Sequence, residues 1–177
     1  HVLRTHVHQV DAADCSPLCD RTSAQLVVGE SAVMPPHCHV DTLRATHGTR
    51  LVFGNEVVRV LSTPGHTPGC LSYLWRDRLF CGDLLTVDAC PHQPRPALPE
   101  ALWDSATRHV FTLPGETLLF YGHAKQGRVV SNVLEQRRWH PWFGNTTRDE
   151  FLARVRTPKN EANASSMRDA TLSTHTL

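Results

Sequence analysis

The chain has 177 residues, a formal charge of +1 and the apolar and charged fractions of a soluble globular protein. It offers no basic field for nucleic acid, no apolar run of membrane-spanning length and no basic-then-apolar leader. Its six cysteines form no C-x-x-C pair, which argues against a structural zinc knot, and reduced thiols are expected.

In chain order, residues 1–5 read as a strand end that delivers His6 to a loop, and 11–21 as irregular or a short helix. Residues 25–29 read as a strand ending in Gly. Apolar runs at 50–54 and 56–61 flank Gly54-Asn55, and runs at 70–75 and 78–81 flank Arg76-Asp77, so two hairpins are predicted. Residues 117–121 form another strand. The helical period predicts a helix over 99–111, a second carrying Val129, Val130, Val133 and Leu134, and a third behind the Thr147–Glu150 capping box. The fold class is therefore α/β: one domain over 1–156, with a polar disordered tail over 157–177.

Twelve histidines justify a search for ligand spacing. His6 and His8, two apart in an extended segment, point the same way. His66 lies in Thr63-Pro-Gly-His-Thr-Pro-Gly69, where Pro and Gly hold a rigid turn at a strand end. Asp83 follows Cys81-Gly82, and His123 follows Tyr121-Gly122. Two histidines and one carboxylate with open positions suit non-haem iron, whereas three histidines suit catalytic zinc. Each residue alone has an ordinary reading, as surface histidine or turn aspartate; their order along the chain is what counts. His37, Cys38 and His39 read as a surface loop, Cys81 as a buried strand residue, and the basic aromatic run 135–142 as surface packing.

Thr-His-x-His, then Ser-Thr-Pro-Gly-His-Thr-Pro-Gly-Cys, then Gly-Asp, then Gly-His, in this order and spacing, resemble the metallo-β-lactamase superfamily. Residues 110–114, 127–131, 135–141 and 148–151 resemble its persulfide dioxygenase (sulfur dioxygenase) branch. The resemblance runs over about residues 2–155. It implies an αβ/βα sandwich with one iron, Fe(2+), held by His6, His66 and Asp83. His8 and His123, which match ligands in two-zinc relatives, are the further catalytic candidates. It also implies oxidation of glutathione persulfide, or a related thiol persulfide, by O2 to sulfite and thiol. The partners expected are these small molecules, with a homodimer kept as an option and neither nucleic acid nor membrane. The location expected is cytoplasmic, or the mitochondrial matrix in a eukaryote.

Two departures bear on this reading. After His8 the chain reads Gln9-Val10-Asp11-Ala12, so the second-metal histidine of the motif is absent, which favours a mononuclear site over two zinc ions. Cys90 is followed by Pro91-His92-Gln93-Pro94-Arg95 where the branch carries an arginine for glutathione, and Arg95 is shifted from that place. His1 stands close to the first motif, so the first sheet is expected to be incomplete at the N-terminus, with an unpaired edge and an exposed apolar face. Two other readings stay open: a glyoxalase-II-like zinc hydrolase of thioesters, with Zn(2+) as the metal, and a non-catalytic homologue.

Overall fold

The structure is a computed structural model that describes residues 1–8, 16–36, 38–88, 90–93, 95–125 and 127–157. Residues 10–12, His37 and the tail beyond 157, on which several expectations fell, lie outside the described residues.

Two sheets stack between helices. The smaller is parallel and runs β1 (Val2–Leu3), β2 (Leu26–Gly29), β3 (Thr42–Ala45), with α1 (Ser16–Thr22) between β1 and β2. The larger runs β4 (Arg50–Phe53), β5 (Glu56–Ser62), β6 (Leu71–Trp75), β7 (Arg78–Gly82), β8 (Leu118–Lys125), β9 (Arg128–Asn132). Its neighbours are antiparallel except β7 and β8. That parallel pair needs a crossover. It is made by α2 (Pro99–Ser105), which continues into a π-helical turn over Ala106–Val110. Two further helices follow, α3 (Val133–Trp139) and α4 (Arg148–Arg156).

Side-chain alternation along the strands divides the apolar residues among three cores. Leu26 and Val28 of β2 pack with Cys19 of α1, while Val27 faces the other way. Val27 and Ala45 meet Val58, Val60, Leu71 and Tyr73 between the sheets. On the outer face of the large sheet, Leu79, Cys81 and Leu119 meet Leu102 and Val110 and the α4 residues Phe151, Leu152 and Val155. These layers form the αβ/βα sandwich, and burying each such side chain contributes about 1.5–3 kcal/mol.

Both hairpins form where expected: Phe53 pairs with Glu56 around Gly54-Asn55, and Trp75 with Arg78 around Arg76-Asp77. Gly54 and Arg76 take the positive φ that such tight turns require. The capping box is present too, with Thr147 accepting from the Glu150 amide. Three expectations need correction. Val129 and Val130 belong to β9, not to a helix; Gly127 turns the chain at φ 77, and β9 returns antiparallel to β8. β-Branched pairs favour extended backbone, and Asn132 ends the strand by capping α3 through the Glu135 amide at 2.8 Å. Strand β8 also runs past residue 121 to Lys125, so His123 lies within a strand rather than in a loop after it. Strand β3 was not expected at all.

Strand β1 stands at the edge of the small sheet. Beside it a cavity of about 340 Å³ is lined by Leu3, Tyr73, Phe80 and Phe120, with the Phe80 and Phe120 rings stacked 5.0 Å apart. Phe80 is 39% exposed there.

Candidate metal centre

The His6 segment is pinned from both sheets. The Arg4 amide donates to Val27 O at 3.0 Å, and the Leu71 amide donates to Thr5 O at 2.7 Å. The buried Tyr73 hydroxyl donates to Arg4 O at 2.6 Å. Burial raises its pKa well above the usual phenol range, so it remains a donor. Residues 4–5 are thus held in the seam between the sheets, and His6 leaves it at a fixed point.

The His66 loop is braced from below and behind. Thr63 and Ser72 share a buried hydroxyl contact of 2.8 Å. The Gly65 amide reaches Thr67 O at 3.1 Å. Behind it, the Ser105 hydroxyl donates to Pro64 O at 2.7 Å, and the Leu98 amide to Gly65 O at 2.9 Å. Gly65 sits so close to Leu102 that a β-carbon would come within 2.4 Å of its backbone. The crossover helix therefore fixes the loop.

Asp83 follows directly on Gly82, which closes β7 at φ 53. A β-carbon at residue 82 would lie 2.4 Å from the Thr5 hydroxyl, so only glycine lets the end of β7 approach the His6 segment. After Asp83 the chain turns, with the Thr86 amide on Asp83 O at 3.3 Å. His140, buried behind it, donates from Nε2 to Leu85 O at 2.8 Å and accepts the Trp142 amide on Nδ1.

These segments bring four of the expected residues together. His6, His8, His66 and Asp83 place their donor atoms within 4.8 Å of one another. Asp83 Oδ2 lies 3.6 Å from His6 Nε2 and 3.6 Å from His66 Nε2, and His66 Nε2 lies 3.3 Å from His8 Nε2. Bonds of about 2.0–2.1 Å to a tetrahedral ion put neighbouring donors roughly 3.3 Å apart, so the donor set fits a metal ion with little rearrangement. The three imidazoles stand edge to face, with centroids 4.9–5.1 Å apart. His123 approaches from β8, with Nδ1 donating to Asp83 at 2.8 and 2.9 Å.

The electrostatics keep His66 and Asp83 in their ligating forms. Burial, reinforced by the charge of His6 and opposed by Asp83, lowers His66 to a pKa of about 4, so its imidazole is neutral at neutral pH. Burial pushes the Asp83 carboxyl up, but the hydrogen bond from His123 and the charges of His6, His123 and His66 outweigh it and hold it below the usual value.

A second group overlaps the first: Asp83, Cys90 and His123 also have donor atoms within 4.8 Å of one another. The Cys90 thiol lies 3.4 Å from His8 Nε2. Burial and the neighbouring Asp83 carboxylate push its pKa up. The sequence reading assigned no such place to Cys90, which was noted only as part of an altered segment. The supporting places of His140 and Thr5 have no signal in the sequence either. Cys38 and His39 enter neither group, Cys81 is buried in β7 as expected, and Arg95 lies beside Trp142 and Arg154. Trp139, in the basic aromatic run, is 71% exposed. The five described cysteines are all free thiols, and no helix among the described residues is long and apolar enough to cross a membrane.

No protein-family model matches the chain. It is similar to the mitochondrial persulfide dioxygenase ETHE1 of Bos taurus, 34% identical over 97 residues, covering 53% of this chain and 38% of that protein. It is also similar to a hydroxyacylglutathione hydrolase-like protein of Mus musculus, 42% identical over 107 residues, covering 56% of this chain and 36% of that protein. The crystal structure of ETHE1 from Myxococcus xanthus matches with a TM-score of 0.74 at 34% identity, covering 90% of this chain and 70% of that one. The chain spans about two fifths of the length of the curated relatives it matches. With the sandwich fold, the ordered histidine and aspartate motifs and a likeness over more than two thirds of the Myxococcus protein, the chain belongs to the metallo-β-lactamase superfamily, in its persulfide dioxygenase branch.

Proposed function

We propose that the chain acts as a mononuclear non-haem iron persulfide dioxygenase, converting a thiol persulfide, O2 and water to sulfite, the thiol and two protons. His6, His66 and Asp83 would hold the iron. The observation that carries this reading is the placement of Asp83 Oδ2 at 3.6 Å from both His6 Nε2 and His66 Nε2, with the ring of His66 neutral and buried. Two histidines and one carboxylate are the facial set that leaves open positions on iron. When bound, the iron supplies those positions to O2 and to the persulfide sulfur.

The remaining residues orient and protect. His123 keeps the Asp83 carboxylate ionised and fixed through its Nδ1–H, and so acts as a positioning residue. His8 lies against His66 and lines a cavity of about 430 Å³ that also reaches Thr67, His92 and Gln93. This is the side from which the substrate would enter, with His8 next to the reacting sulfur and able to hold a proton for it. The polar groups of His92 and Gln93 would meet the amide or carboxylate groups of the thiol carrier, glutathione or a related thiol.

One observation favours a second reading. His6, His8 and His66 form the three-histidine set of catalytic zinc, and hydroxyacylglutathione hydrolases are among the relatives. A zinc hydrolase of glutathione thioesters is therefore the alternative.

The test is elemental analysis of the purified chain after anaerobic loading with iron, in parallel with zinc. The expected result is about one iron per chain, lost in His66→Ala and Asp83→Ala, with O2 uptake and sulfite formation on addition of glutathione persulfide. Tight zinc with no iron uptake, together with hydrolysis of a hydroxyacyl-glutathione thioester, replaces the first reading by the second. A chain that binds neither metal is a non-catalytic homologue.

A further inference from the structure

A cavity of about 180 Å³ is lined by α3 and β9, by Tyr121 of β8, and by Leu85 and Thr86 from the segment that leaves Asp83. It shares no lining residue with the cavity beside His8. Two of its groups have no use within the chain. The Thr86 and Tyr121 hydroxyls are buried without a hydrogen-bond partner among the described residues, and Thr86 is 1% exposed. A buried hydroxyl left unpaired is costly, and native proteins keep few of them. The other polar groups are held in advance. Arg128 donates to both Glu135 oxygens, at 2.6 and 3.0 Å. Ser131 donates to Glu135 Oε2 at 2.8 Å, and Gln136 donates to Ser131 Oγ at 2.8 Å. At the same cavity stands the indole of Trp139, 71% exposed.

We infer that this cavity binds a small, uncharged, polyhydroxylated molecule, a monosaccharide or a cyclic polyol. Its volume is that of about six waters at roughly 30 Å³ each, room for one sugar ring. Arg128 and Glu135 neutralise each other, and His140 has both ring nitrogens engaged, so a charged ligand finds no free counter-charge there. The Thr86 and Tyr121 hydroxyls can each donate and accept, and a ligand hydroxyl answers either role. Trp139 presents a broad apolar face, which suits the C–H face of a ring whose hydroxyls point outward. Water would satisfy the hydroxyls but gain nothing from Leu85, Val130 and Trp139; a ring covers them and reaches the hydroxyls together. The chain of bonds from Arg128 through Glu135 and Ser131 to Gln136 exists before binding, so little order remains to be lost.

The experiment is an NMR titration of the whole chain with glucose and myo-inositol, with glucuronate and glucosamine as charged counterparts. Saturable shifts of the Trp139 indole N–H are expected with one or both uncharged probes and with neither charged one. The Trp139 signal is identified by its loss in Trp139→Phe. Thr86→Val keeps the side-chain shape and removes the hydroxyl. It should weaken binding about 3–10-fold, the size of one neutral hydrogen bond. In the free variant the urea midpoint should stay or rise, because no internal bond is lost. Trp139→Ala, at an exposed position, should weaken binding at least as much with no change in the midpoint. No saturable shift with either uncharged probe overturns the inference, and so does unchanged affinity in Thr86→Val. A fall in the Thr86→Val midpoint would show that the hydroxyl already serves the fold, and glucuronate or glucosamine binding as tightly as glucose would refute the class of ligand. Metal plays no part in this titration, so the proposed function and this site stand or fall separately.

Discussion

A β-carbon at Gly122 would stand 2.5 Å from Asp83 Oδ1, so strand β8 presses its bare backbone against the carboxylate that joins the two donor groups. Both this close approach and the hydrogen bond to His123 bear on the carboxylate's position. Gly122→Ala is expected to push Asp83 aside and weaken zinc or iron binding roughly 10–100-fold, the range typical for lost support behind a ligand. Residue 122 does not have the positive φ that disfavours a side chain, so the variant should remain folded. A competition titration with a chelator, run beside a thermal melt, checks both points. Wild-type affinity in the variant would mean that Asp83 does not depend on this approach.

The metal-free chain should lose stability on mild acidification. Burial lowers His66 to about 4 from an ordinary value of 6.5. The unfolded chain therefore takes up a proton at this residue between those values while the folded chain does not. Stability rises with pH wherever the unfolded state binds more protons, so the His66 contribution is full above about 6.5 and declines toward pH 4. Asp83, whose folded pKa is depressed, contributes stability above the ordinary carboxylate range that is lost only at lower pH. Urea unfolding at a series of pH values should show a fall on the order of 2–3 kcal/mol between pH 6.5 and 4. His66→Asn should flatten this slope, and an unchanged slope would place its origin in other histidines.

The supports of the site were legible to different degrees. The Pro-Gly-His-Thr-Pro-Gly run announces a rigid turn because its glycines and prolines admit few backbone paths, and the structure has His66 on that turn. Gly82-Asp83 and the two hairpins are equally local and were equally readable. Cys90 was not, because its meeting with Asp83 and His123 depends on how the segment after Asp83 folds back, and no local pattern encodes that. His140 failed for the same reason, its partner Leu85 being 55 positions away. The β9 valines misled because Val129, Val130, Val133 and Leu134 satisfy a helical period, while the turn at Gly127 and the cap at Asn132 decide the matter. Thr42-Leu-Arg-Ala45 is too short and too polar to announce a strand; it is one because β2 offers it a parallel edge.

Helix α4 offers a test of stability without a change at the site. Thr147 caps it by accepting from the Glu150 amide, and Glu150 answers by accepting from the Thr147 amide at 2.8 Å. The cap positions Phe151, which is fully buried and stacked 4.9 Å from Phe143. Thr147→Ala should cost about 1 kcal/mol in urea unfolding, the usual loss for such a cap. Metal affinity should stay at the wild-type level, because the buried residues of α4 pack in the core behind the large sheet and against α2, and α4 supplies no residue to the donor groups. A loss of affinity equal to that of the site variants would show that α4 is coupled to the centre.

His140 should behave differently, because it holds the segment that leaves Asp83. Its Nε2–H donates to Leu85 O and its Nδ1 accepts the Trp142 amide, which fixes a single tautomer. His140→Phe keeps the ring volume and removes both bonds. Leaving the buried Leu85 carbonyl without this donor should cost about 1–3 kcal/mol in unfolding of the metal-free chain. Unlike Thr147→Ala, it should also weaken zinc binding, since Leu85 is two residues from Asp83 and five from Cys90. Comparing the two variants at equal loss of stability separates general loosening from local displacement. If His140→Phe loses stability alone, the end of β7 and the contact with Gly122 suffice to place the carboxylate, and the segment from Leu84 to Asp88 plays no part in holding the ion.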